Sequence, residues 1–481
     1  MAITRRQFIR RTGLATAGTL LGPSLFANPF VRRAFADLGD RYLVVIFLEG
    51  GNDGQNTVVP VTNGGGTLRS DYEANRFTGG GGIQLTPGQL AATLIGNDPN
   101  TGGQLAIHPG FLNGFKPLYD AGQLAVIQGC GYPEYSLSHD EARTIWETAN
   151  PLSNGVLSGT GWVGRHLAAT YGGSQIPGVC ISDSVAPEFK QNSTSVLAIE
   201  RLEDFGFPWD DFNSDFEPNS DEANKEAAFT ALYGNASGGA QATQSFIGNA
   251  GNATLVSTNV YPQLHTAYET DRSSFSQLYD AIGRSVADDL HEVAKIVYGV
   301  KSGAVGVQAR FFHVTNGGYD THSDQGGATG QQHDLHQEVG DSLKVFYDDL
   351  ADMGTADKVL TVIWSEFSRR IEQNGSGTDH GSQGPMFVVG GANALNGGVY
   401  GNHPNISAAD INQDGNGNTI YRQTANAFRS TDFRDVFGTI LKHWLNMSQP
   451  QILSNILIPD AASGEYWNLT NGINLDMGFL P

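Results

Sequence analysis

Short, continuously apolar runs recur along this chain, and each is followed or preceded by a cluster of glycines, carboxylates and imidazoles. The clearest runs are Tyr42–Leu48, Leu124–Gln128, Gly178–Ile181, Ala309–Val314, Val359–Trp364 and Met386–Val389. Runs of this length without alternation suit strands buried on both faces. Helical patterns lie between them. Residues Gln331–Asp352 place Leu335, Val339, Leu343, Phe346 and Leu350 on one face, and Phe275–Tyr298 do the same with Leu278, Ile282, Val286, Leu290, Val293 and Val297. Buried strands alternating with amphipathic helices imply an α/β fold: a mostly parallel central sheet with helices on both faces.

Composition narrows this further. Of the 481 residues 39% are hydrophobic, enough for a sizeable core, so global disorder is excluded. Two cysteines, Cys130 and Cys180, exclude a disulfide scaffold and a four-cysteine zinc site, and both sit at ends of apolar runs where buried thiols are expected. A net charge of −21 argues against nucleic acid and against an anionic membrane surface as partners. Residues 187–263 lose the apolar pattern and read as a polar insertion or cap on a single domain spanning 37–481. The stretches Asn63–Gly82 and Gly391–Arg422 read as glycine-rich loops.

The segment 1–36 reads as an address. Thr4-Arg5-Arg6-Gln7-Phe8 leads a weakly apolar stretch ending in Ala34-Phe35-Ala36, which resembles a twin-arginine export signal. The resemblance implies the twin-arginine translocase as a partner during export and a periplasmic or secreted location. No apolar stretch reaches the roughly 20 residues of a membrane span, so none is expected in the mature protein.

In open α/β sheets ligands bind beyond the carboxyl ends of the strands, so the residues there are the candidates. They are Asp53 in Gly50-Gly51-Asn52-Asp53, Ser138-His139, Asp320-Thr321-His322, Glu366 with Arg369-Arg370, and His380. Carboxylates and imidazoles from five distant segments suit a divalent metal, Zn²⁺, Mn²⁺ or Ca²⁺. The arginine pair suits an anion. Ser138 also reads as a helix N-cap with Glu141 as its capping-box partner. His108 is a candidate loop ligand; His333 and His336 read as surface positions on their helix. Separately, Asp410, Asn412 and Asp414 space oxygen ligands like the first half of a calcium loop, with Tyr421 where a bidentate glutamate belongs.

The segments LVVIFLEGGNDGQNTVVP, HPGFLNGFKPLYDAGQLAVIQGCGYPEYSLSHDEARTIWETA, GGYDTHSDQ and IWSEFSRRIEQNGSGTDHGSQGPMFVVGG together are similar to the domain of unknown function 1501 family, from about Tyr42 onward. That family resembles the alkaline phosphatase/sulfatase superfamily in fold and motif order. The resemblance implies metal ligands at Asp53, Asp320, His322, Glu366 and His380. It also implies a nucleophile at Ser138 and an anionic phosphate or sulfate ester as substrate; His139 beside that serine and Arg370 of the arginine pair complete the catalytic candidates. Two departures stand out: Asp320 and His322 are two apart rather than four, and Phe367 follows Glu366 where a histidine would be. The function expected is therefore an exported metal-dependent ester hydrolase. The alternative is a non-catalytic envelope binding or assembly protein on a degenerate hydrolase scaffold.

Overall fold

A computed structural model describes residues 41–132, 135–150, 159–171, 176–191, 194–206, 220–237, 241–304, 307–407, 429–457 and 473–481. The arginine-led segment 1–36 and the calcium-loop residues Asp410, Asn412 and Asp414 lie outside them. The described residues fall into two compact units. One comprises Val163–Leu278 and His291–His313, the other Arg41–Trp162, Tyr279–Leu290 and Val314–Pro481.

The second unit carries the sheet that matters for function. Its strands are β1 (Tyr42–Leu48), β2 (Leu124–Gly131), β3 (Phe311–Asn316, of which the last three residues belong here), β4 (Val359–Trp364), β5 (Gly384–Gly390) and β6 (Gly398–Tyr400). They lie in the order β6-β2-β5-β4-β1-β3. β1 and β4 pair in parallel from Tyr42 opposite Val359 to Phe47 opposite Trp364. β5 runs antiparallel between β4 and β2. The sheet is thus mixed and mostly parallel, as the apolar runs imply.

Every residue of β1 and of β4 is buried. Continuous burial needs cover on both faces, and two positions in β4 show where it comes from. Thr361 and Trp364 are three apart and so point to opposite faces. On one side helix α2 (Gln331–Asp352) lays Tyr347 against the sheet, its hydroxyl donating to Val389 O at 2.7 Å and meeting Thr361 Oγ1 at 3.0 Å. On the other, helix α1 (His139–Thr148) stacks Trp146 on Trp364 with ring centroids 5.3 Å apart. Burying an indole removes about 150–250 Å² from water, worth about 4–6 kcal/mol, so this stack fixes α1 firmly on the sheet.

Three local expectations change. In α2 the buried face runs through Gln332, His336, Val339, Leu343, Phe346 and Leu350, so His336 is core rather than surface. The Phe275–Tyr298 stretch is two helices, Ser273–Ile282 and Ser285–Ser302, with Gly283 between them at φ +62°. The stretch 63–82 is not all loop: Leu68–Asn75 form a helix, and the next residue, Arg76, is buried. Cys130 and Cys180 are both buried thiols, with no disulfide between them.

In the first unit, strand Gly178–Cys180 pairs in parallel with Val196–Ala198 and with the first half of β3. Much of residues 187–263 is helical there, as Ser220–Ser237 and Ala242–Asp271. Small and weakly polar residues (alanine, asparagine, serine, threonine and glycine) make up more than half of each helix, which leaves little polarity contrast for a periodic pattern to register. Among the described residues no helix is long and apolar enough to cross a membrane.

Candidate metal centre

β1 and β4 are parallel, Glu49 just after β1 bonds Asn316 at the end of β3 and Tyr319 just beyond it, and β5 runs the other way, so the loops after β1, β3 and β4 and the entry to β5 meet at one rim. The segments 49–53, 317–322, 365–370 and 378–382 therefore converge.

The β1 loop is shaped by two glycines. Gly50 and Gly51 have φ of +118° and +83°, and a Cβ on Gly50 would overlap the backbone of Tyr319 and Asp320. Only glycine meets both demands. Their amides donate to Glu366, Gly50 N to Oε1 at 2.9 Å and Gly51 N to Oε2 at 3.2 Å. Their carbonyls accept from Arg369, Gly51 O at 2.7 Å and Gly50 O over a shorter contact. The loop is gripped between one buried carboxylate and one buried guanidinium.

Glu366 is not positioned as a metal ligand. It is 1% exposed, and its Oε1 also accepts from His139 Nδ1 at 2.7 Å. Three N–H donors hold the buried carboxylate. Its role passes to His139, whose other ring nitrogen faces outward. This exchanges the expected assignments: His139 joins the cluster and Glu366 stands behind it.

Three imidazole Nε2 atoms converge on Asp320. His322 Nε2 lies 3.1 Å and His380 Nε2 3.2 Å from Oδ1, and His139 Nε2 lies 3.6 Å from Oδ2. His322 and His380 present Nε2 to each other at 3.0 Å. The donor atoms of His139, Asp320 and His380 all lie within 4.8 Å of one another.

The outer nitrogen of each ring is tied to an acceptor. His139 Nδ1 is held by Glu366, His380 Nδ1 by Leu137 O at 2.7 Å, and His322 Nδ1 by Asp379 Oδ1 at 3.3 Å. A carbonyl or carboxylate oxygen can only accept, so each Nδ1 carries a proton, and a ring that is neutral then presents its Nε2 lone pair. This is how proteins orient imidazoles that ligate metals. Three Nε2 atoms so held are gathered around one carboxylate.

The Glu366 hydrogen bond raises the His139 pKa, toward the charged ring, while burial lowers that of His380, toward the neutral one. Partial burial alone would raise Asp320, but Arg369 Nη2, donating to Oδ1 at 2.7 Å, outweighs it and keeps the carboxylate charged.

Asp53 does not join the cluster. It is 2% exposed and takes Arg76 Nη1 at 2.7 Å, Arg76 Nη2 at 3.0 Å and Gln325 Nε2 at 2.6 Å. A guanidinium occupies the place a metal would need. Arg370 stays at the margin, with Nη1 3.5 Å from Asp379 Oδ2; Arg369, its neighbour, is the arginine that touches Asp320. His108 is wholly buried, accepting from Gly110 N at 3.0 Å and facing Gly327 O at 2.9 Å, so it is a structural loop residue.

Ser138 caps α1 by position but not by hydroxyl, since its side chain makes no capping hydrogen bond. Glu141 bonds Ser136 Oγ at 2.7 Å instead. Ser138 is left exposed at the helix start, one residue before His139. Sequence reasoning missed Asp379 and the Leu137 carbonyl. Asp379 was readable as a neighbour of His380; a backbone carbonyl leaves no mark in a sequence.

Comparison with known proteins now has a geometry to meet. Residues 296–456 match the family described as "Protein of unknown function (DUF1501)". The matched stretch carries Asp320, His322, Glu366, Arg369, Asp379 and His380, and it bears out the resemblance seen in the motifs. No curated protein matches the chain. Among solved structures the PsFucS1 sulfatase from Pseudoalteromonas sp. is similar, with 11% identity, a TM-score of 0.33, and coverage of 89% of this chain and 73% of its own.

Proposed function

We propose that the chain is a metal-dependent hydrolase of phosphate or sulfate esters, with a single divalent ion held by His139, His322, His380 and Asp320. The observation that carries this is the set of three imidazoles with Nδ1 tied back and Nε2 aimed at one half-exposed carboxylate. Three nitrogen donors and one oxygen suit Zn²⁺ or Mn²⁺ better than Ca²⁺, which prefers an all-oxygen set. Bound there, such an ion supplies Lewis acidity and screens developing negative charge.

The chain's own residues supply the rest. Ser138, exposed and free of a capping role, is the candidate nucleophile. It stands at the N-terminus of α1, a 10-residue helix whose dipole favours an anion. Arg369 holds Asp320 ionised and in place, and Arg370 is the nearest further cation for an anionic ester. Export of the folded, loaded protein by the twin-arginine route fits this reading, because the ion would be bound before translocation.

Metal analysis of purified protein, followed by aryl phosphate, phosphodiester and aryl sulfate esters, tests the proposal. Stoichiometric metal with ester turnover abolished by Ser138→Ala is the expected result. Protein inert toward every ester after reconstitution with Zn²⁺, Mn²⁺ and Ca²⁺ would overturn it and leave a binding or assembly role.

A further inference from the structure

One buried amide stands behind the metal centre. Gln325 is wholly buried, and its Nε2 donates to Asp53 Oδ2 at 2.6 Å and Gln332 Oε1 at 2.9 Å. Its Oε1 accepts from Thr321 Oγ1 at 3.1 Å and Thr378 Oγ1 at 2.6 Å. Two donors and two lone pairs are all an amide side chain offers, and all are used. A flipped amide would set oxygen against the Asp53 carboxylate, so the orientation is fixed.

The two threonines sit in the two loops that carry ligands. Thr321 lies between Asp320 and His322, and Thr378 precedes Asp379 and His380. Their backbones are joined as well, Thr378 N donating to Thr321 O at 3.1 Å. On the far side of the amide, Arg76 closes on Asp53 and also donates to the carbonyls of Arg370 at 2.7 Å and Ile371 at 2.6 Å. Segments 320–322, 369–371 and 378–380 are therefore tied to one buried ion pair.

We propose that Gln325 is the positioning residue of the metal centre: through Thr321 and Thr378 it sets the spacing of Asp320, His322 and His380 against the Asp53–Arg76 pair. The inference rests on the metal reading above. The physical need is plain. The ligand loops contain Gly317, Gly318, Gly375, Gly377 and Gly381, whose backbone freedom would let the imidazoles drift. A metal tolerates only a few tenths of an ångström in its donors, and groups behind the ligands supply that precision. Asp53 thus serves the site from behind, as an anchor.

The test uses Co²⁺ and Zn²⁺ on the full chain, with Co²⁺ absorption reporting ligand geometry. Thr321→Val and Thr378→Val keep side-chain shape and each delete one hydroxyl. Each should weaken binding about 10–100-fold and alter the Co²⁺ spectrum. Thr378→Ser, which restores the hydroxyl, should recover both. Thr355→Val is the control: it deletes a buried hydroxyl bonded to Leu350 O at 3.1 Å and should leave affinity unchanged. If one valine variant fails to fold, the other carries the measurement. Wild-type affinity and spectrum in both valine variants would overturn the inference. A wild-type chain that binds neither ion would instead remove the metal reading itself, and this inference with it.

Discussion

Asp53 and Asp320 look alike in the sequence and do opposite things in the structure. Each follows an apolar strand and a pair of glycines, and each reaches the same rim. Asp53 is buried and met only by donors: a guanidinium, an amide and its own helix N–H at Gln55. Asp320 has a side chain 48% exposed and is met by one guanidinium and three imidazole Nε2 atoms. The kind of partner, not the place on the strand, sets the two carboxylates apart. One rim holds a closed, buried ion pair and, beside it, an open cluster of imidazoles around a carboxylate.

Several substitutions should break that comparison in opposite ways. The largest effect is on metal content. Asp320→Ala or His380→Ala should leave purified protein without stoichiometric metal by elemental analysis, while the urea midpoint of the metal-free chain barely moves. Asp53→Ala should act first on stability, and on metal only through the loops it anchors. It strands Arg76 in the core and should cost about 3–5 kcal/mol of unfolding free energy in urea titrations. Glu366→Gln comes next. Its amide would face an N–H that the carboxylate now accepts, loosening both His139 and the Gly50-Gly51 loop. Metal affinity should fall about 10–100-fold in a chelator competition.

The smallest effect is acid sensitivity away from the cluster. Burial pushes the His108 pKa down to about 3, so the native state keeps that ring neutral while the unfolded chain protonates it. Its contribution is present above the ordinary histidine value of about 6.5 and is lost as the pH falls toward the folded value. Urea midpoints should decline over that interval in wild type and decline less in His108→Gln.

Much of this was legible beforehand, and the rest was not for physical reasons. Fully buried strands announce themselves as continuous apolar runs, and parallel strands bring their loops to one end, so the rim and the candidacy of Asp320, His322 and His380 follow from pattern. Direction does not. His139 begins a helix and Glu366 follows a strand, and nothing in either position tells which one faces the opening. Arg76 lies 23 residues beyond Asp53, in a stretch that reads as glycine-rich loop. Gln325 belongs to no motif; its importance comes from four hydrogen bonds made through space. His336 was misplaced because Leu335 suggested a stripe one position off the buried face, which runs through Gln332 and His336.

The central claim is that three imidazoles and Asp320 hold one divalent ion. The most direct measurement is the metal stoichiometry of the wild-type chain and of Asp320→Ala, each reconstituted with Zn²⁺ or Mn²⁺ and freed of loosely held ion. One equivalent in the wild type and none in the variant is the predicted result. A metal-free wild type, or equal metal in both, would contradict it.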